Sequence, residues 1–202
     1  MEKIKLPKLS YYRKNKVRQN LNRLYKEATK SDIKSGKNWY LTAHQICLKL
    51  QEDNKNVFTL EQIAGVISAL SPRNKWERNI LDASNVLRAV RLKKSPEAVK
   101  VCTFNKNKQK AFNIAKGIEQ IKPTSKKTFA FVNNIARLDA NFVTIDLWHL
   151  RACFGATIKT GLTPKVYDQL QEITLQEAHK NNVDGFKFQA VIWEALRNKN
   201  LY

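Results

Sequence analysis

Turn-forming residues are too scarce here for most β architectures. Only 6 Gly and 5 Pro punctuate the 202 residues, whereas an all-β sandwich or barrel needs a turn about every 8 to 12 residues. Helices are the default that remains. Apolar residues make up 43% and charged residues 27%, enough buried surface to offset chain entropy, so the helices enclose a core. The length suits one domain of ordinary size or two small lobes sharing a core.

The apolar spacing supplies the elements. Helices are expected over Tyr12 to Thr29, with Val17, Leu21 and Leu24 on one side, and over Asn38 to Asp53, with Leu41, Ile46 and Leu50; Ser35-Gly36 is read as the break between them. Thr59-Leu60-Glu61-Gln62 reads as a capping box that opens a core helix over 59–71, stopped by Pro72. Further helices are expected over 74–91, 106–121, 126–137, 147–154, 164–181 and 186–198. Thr124 or Ser125 is expected to cap the fourth of these core helices, Asp146 the fifth and Thr163 the sixth, with Gly155 as a stop. Asn141 to Ile145 is β-branched and extended. The expectation is an all-α, compact chain in which residues 1–38 form a basic N-terminal arm or helix on a single helical domain, 39–202.

Net charge is +20, and its distribution says more than its size. Residues 1–38 hold 12 Lys/Arg against 3 acids, and residues 91–127 hold 11 against 2, which together account for +18. Self-repulsion on this scale is commonly relieved by a polyanion, so double-stranded DNA is the expected partner. A membrane is not expected, since no run of 18 apolar residues exists and neither basic stretch pairs its lysines with a strong apolar face. Met1 to Lys5 lacks the apolar stretch of a signal peptide. Cys47, Cys102 and Cys153 are widely spaced, as are His44, His149 and His179. Neither set suggests a disulfide framework or a metal, so no cofactor, a reducing cytoplasm and a monomer are expected.

The segment 122–151 carries the chemistry. A helix of about ten residues from Lys127 spans ~15 Å, and the extended stretch returning to Asp146 covers that length, so the amine and the carboxylate can meet. Each would stand at the start of a helix, where backbone N–H groups attract phosphate. Asp146 reads equally as a simple N-cap and Lys127 as one more solvated lysine beside Lys122 and Lys126. Arg73, Asn74, Lys75 and Trp76, which follow Pro72, are further expected DNA contacts; Trp76 at that mouth could stack on bases or belong to the core. His149 and Trp193 read as core or hydrogen-bonded helix residues.

Lys126-Lys127-Thr128 and Thr144-Ile-Asp146-Leu-Trp-His149, with Val66-Ile-Ser-Ala-Leu70 and Phe104-Asn-Lys-Asn-Lys-Gln-Lys-Ala-Phe-Asn-Ile114 upstream, resemble the helix-hairpin-helix DNA glycosylases of the endonuclease III type over residues 59–155. The hairpin stretch Ile121 to Lys127 has no glycine, and no iron–sulfur loop follows. Ser71-Pro72, Trp76 and Asn79 with Thr144-Ile-Asp146 are also similar to small uncharacterised phage and bacterial proteins, which implies the host cytoplasm if the chain is phage-encoded. The glycosylase resemblance implies a two-lobed helical fold in which Lys127 attacks C1′ of a flipped nucleotide, Asp146 assists, and Lys122, Thr124, Ser125 and Lys126 hold DNA phosphates. The implied activity is a DNA N-glycosylase, with or without AP-lyase cleavage. The alternative is a non-catalytic DNA-binding, architectural or regulatory protein on the same fold.

Overall fold

The computed structural model describes residues 8–155 and 162–198. Among them no strand occurs, and the chain is all-α. The helices are α1 Tyr11–Lys26, α2 Lys30–Asp53, α3 Leu60–Leu70, α4 Trp76–Arg91, α5 Asn105–Ala115, α6 Lys126–Ala136, α7 Leu147–Phe154, α8 Pro164–Lys180 and α9 Gly185–Asn198, with a short 3-10 turn at Pro96–Ala98. Contacts gather them into two units, one of residues 1–42 with 139–202 and the other of Ala43–Leu138.

Local chemistry sets most boundaries. The Thr59 hydroxyl accepts from the Gln62 amide while the Gln62 side chain accepts from the Thr59 amide, closing the capping box that starts α3. Ser10, Asp146 and Thr163 cap α1, α7 and α8 through side-chain oxygens. Gly155, at φ +93, stops α7.

Three expected boundaries are corrected. Helix α1 ends at Lys26 and not at Thr29, which serves the start of the next helix. Helix α2 begins at Lys30, not Asn38, and runs through Ser35-Gly36 without a break. Its start signal is Thr29 with Asp32: the Thr29 amide donates to the Asp32 carboxylate at 2.8 Å and the Asp32 amide to the Thr29 hydroxyl at 3.1 Å. Gly36 is buried against α9, where a Cβ would overlap the Val191 backbone. The glycine therefore serves helix contact, not termination. The buried stripe of α2 is correspondingly Tyr40, Ala43, Cys47 and Leu50, whereas Leu41 is exposed. Helix α5 stops at Ala115 instead of Ile121, because Gly117 adopts φ +73 and turns the chain; Ile118 beyond it is 71% exposed.

In the Ala43–Leu138 unit, α3 is the central rod. Every residue from Ile63 to Leu70 is buried, under α4, α5 and α6. Gly65 lets α5 approach: a Cβ there would lie 2.9 Å from Ile114 Cγ2. In the other unit α1 packs its Val17, Leu21 and Leu24 side among α7, α8 and α9. Tyr25 stacks on Phe188 with centroids 4.7 Å apart, and Phe186 meets Tyr40 edge-on at 5.4 Å.

Candidate nucleic-acid interface

Within the Ala43–Leu138 unit, three helix starts share one end. The Arg137 guanidinium pairs with Glu61 at 3.2 Å, tying the end of α6 to the start of α3. The Gln62 amide donates to the Ala115 carbonyl at 3.1 Å, which ties the end of α5 to the same turn. Both helices therefore run back alongside α3, and their first turns lie towards the end from which the Pro72–Lys75 turn leads into α4. The Thr103 hydroxyl confirms this for α5 by donating to the Pro72 carbonyl at 3.0 Å.

None of these three helices has a side-chain N-cap. The expected cap by Thr124 or Ser125 is not made: Ser125, not Thr124, stands at the N-cap position of α6, with ψ near 59, outside the extended conformation a capping serine adopts. The Thr128 hydroxyl instead donates to the Ser125 carbonyl at 2.9 Å. The positive ends of the helix dipoles thus gather here without a capping side chain, and the residues around them are mainly cationic. Arg73, Lys75, Lys106, Lys122 and Lys127 are exposed, as are Thr124 and Ser125, whereas Asn74, Trp76 and Lys126 are half-buried. Glu77 is the one acid in the first turns of the three helices.

A buried carboxylate joins two of these loops. Asp82, with no exposed surface, accepts from Arg78 Nε at 2.9 Å, from the Asn74 side chain at 3.0 Å and from the Cys102 amide at 2.8 Å. One side chain thereby fixes the turn before α4 and the loop before α5. On that frame stands Phe104, 46% exposed, with the Arg73 guanidinium 5.2 Å and the Lys106 ammonium 5.9 Å from its ring centre. Arg73 holds a left-handed backbone at φ 59. Phe104 and Lys106 were not among the binding residues expected from sequence, and neither was Asp82. The Arg78 to Asp82 spacing of four was visible, but its burial was not.

Asp146 belongs to the other unit and Lys127 to this one. Asp146 is half-buried, and its carboxylate accepts from the His149 amide at 2.8 Å. The segment leading to it is latched by Tyr167, whose hydroxyl donates to the Val143 carbonyl at 2.8 Å and accepts from the Ile145 amide at 3.2 Å. Burial first, then the Asp146 charge, hold the Tyr40 and Tyr167 phenols well above the usual tyrosine range. His149 is buried, with Nε2 3.0 Å from the Thr174 hydroxyl, and burial pulls its pKa down to about 4. Trp193 is half-buried, edge-on to Trp39 at 5.5 Å.

Residues 3–200 match the model of a family described as a family of unknown function, DUF7178. The chain belongs to that family. No match was found among curated proteins or solved structures. For this DUF7178 member, among the described residues, no helix is long and apolar enough to cross a membrane. No three His, Cys, Asp or Glu side chains among them gather as metal donors.

Proposed function

We propose that this protein binds double-stranded DNA and acts on it as a DNA N-glycosylase. The observation that carries the binding is the shared end of α4, α5 and α6, where helix starts without side-chain caps stand among Arg73, Lys75, Lys106, Lys122 and Lys127. Positive helix ends and cations repel one another, and backbone phosphates relieve that repulsion. Phe104, with Arg73 beside it, adds a surface on which a base can rest.

The catalytic part rests on Lys127 and Asp146. Lys127 is exposed in the first turn of α6, and its amine has no ion pair among the described residues. In the proposed step, neutral Lys127 Nζ attacks C1′ of a flipped nucleotide while the glycosidic bond breaks, and the base leaves with one of the two Nζ protons. The second Nζ proton passes to O4′ as the C1′–O4′ bond breaks and the sugar ring opens, giving a Schiff base, from which strand cleavage by β-elimination follows. Asp146 is the assisting carboxylate of this reading, its charge offsetting positive charge that develops on the sugar.

The test is borohydride trapping on a panel of abasic, damaged and modified duplexes. Lys127→Ala should abolish the trapped complex while lowering DNA affinity only modestly. Asp146→Asn should slow base release in a protein that stays folded. If the wild-type protein binds duplex DNA yet neither traps nor releases a base, the non-catalytic reading replaces this one.

A further inference from the structure

Helix α1 is cationic on its exposed side in a way the packing of its unit does not use. Its sixteen residues include six Lys or Arg and no acid. Arg18 is committed inward, 3.6 Å from the buried Glu177 carboxylate and 2.9 Å from the Gln176 side chain. Tyr12, Lys16, Gln19, Arg23 and Lys26 are all exposed. They follow one another at steps of four, three, four and three, so they form one straight stripe opposite the buried Val17, Leu21 and Leu24.

The stripe has a charge and a length. Lys16 and Lys26 stand ten residues apart, or ~15 Å along the axis. Arg23 between them makes an exposed pair with Glu27, at 3.2 Å, of a kind worth little in water. Arg23 and Lys26 are like charges three apart, as are Arg13 and Lys16, and each such pair weakens an isolated helix by a few tenths of a kcal/mol. A polyanion removes that repulsion. An α-helix about 10–12 Å across fits the major groove of B-DNA, about 12 Å wide, with cations reaching the phosphates that line it. A lipid surface does not suit this element, because its apolar side is already packed among α7, α8 and α9.

We propose that the exposed stripe of α1 is a docking surface for double-stranded DNA, with Lys16, Arg23 and Lys26 on backbone phosphates and Gln19 between them facing the groove. This rests on the DNA-binding reading above but assigns it a separate element, in the unit that does not contain Lys127.

The experiment compares two charge-matched triple variants of the full chain in duplex titrations over a range of salt. One is Lys16→Ala with Arg23→Ala and Lys26→Ala. The other, on exposed positions of α2 in the same unit, is Lys30→Ala with Lys34→Ala and Lys37→Ala. Circular dichroism verifies that both stay helical. Three lost phosphate contacts should reduce the slope of log affinity against log salt by about 2.7 and weaken binding about tenfold or more near 0.1 M salt. The α2 variant should change the slope by less than about 1. Equal losses in both variants overturn the proposal, because a diffuse field then accounts for binding. An unchanged slope in the α1 variant with salt-sensitive wild-type binding also overturns it and leaves the Ala43–Leu138 interface standing. A wild-type protein that does not bind duplex at low salt overturns both readings.

Discussion

Removing the Asp82 carboxylate tests whether one buried group organises the proposed DNA-facing loops. In Asp82→Ala the Asn74 side chain and the Cys102 amide each lose an acceptor at 3.0 and 2.8 Å. Hydrogen bonds to a charged group contribute about 1.5 to 3 kcal/mol each. Arg78 loses its partner too, but its side chain is 43% exposed, so water can replace the carboxylate and that pair adds less than about 1 kcal/mol. The sum is roughly 3 to 7 kcal/mol, overlapping the range for breaking a buried charged network. For a chain of this size it corresponds to a fall in Tm on the order of 10 °C. Asp82→Asn, which keeps one acceptor oxygen, should lose about half as much, and Arg78→Ala under about 1 kcal/mol. Thermal melts followed by circular dichroism, with urea titrations alongside, read these differences. Duplex affinity measured well below the melting range should fall in Asp82→Asn, because Arg73 and Phe104 lose their common anchor. The reasoning is refuted if Asp82→Ala melts within about 2 °C of wild type, or if Arg78→Ala costs as much as Asp82→Ala.

Gly36→Ala should destabilise the protein by roughly 1 to 3 kcal/mol in a thermal or urea melt, although alanine in a helix interior ordinarily gains about 1 kcal/mol over glycine; the added Cβ overlaps the Val191 backbone, and a stabilised variant would contradict that contact. His149, neutral when buried with a pKa near 4 against 6.5 in the unfolded chain, takes up its proton only on unfolding between those values. Its contribution to stability is therefore complete above pH 6.5 and is lost as pH falls towards 4, at about 1.4 kcal/mol per pH unit. Urea titrations at several pH values should show this component in the wild type and not in His149→Gln; equal slopes in the two proteins would remove it.

Much of the helical order was legible because its signals are local. The Thr59–Gln62 capping box, the Asp146 and Thr163 caps, Pro72 and Gly155 each act within one turn of their own position, so reading neighbours sufficed. Ser35-Gly36 misled because the partner that needs this glycine, Val191, stands 155 residues further along the chain. The Thr29 and Asp32 pair that opens α2 is a local signal, three residues apart, which the reading of Thr29 as the end of the preceding helix passes over. For the candidate interface, the exposed cations could be named from composition. Phe104 could not, since an aromatic residue in a turn is as often core as surface.

The all-α class and the surplus of positive charge follow from the sequence by itself, because turn-former scarcity, apolar spacing and charge count do not depend on which segments meet. Tertiary structure alone decided which cations are used internally, as Arg18 is on Glu177, and which stay exposed on one stripe, as Lys16 and Lys26 do. It alone set the starts of α4, α5 and α6 at one end of α3 and buried Asp82 between two loops. The physical reason is the same in each case: the strength of a charge or a hydrogen bond depends on what surrounds it, and distant parts of the chain supply those surroundings only on folding.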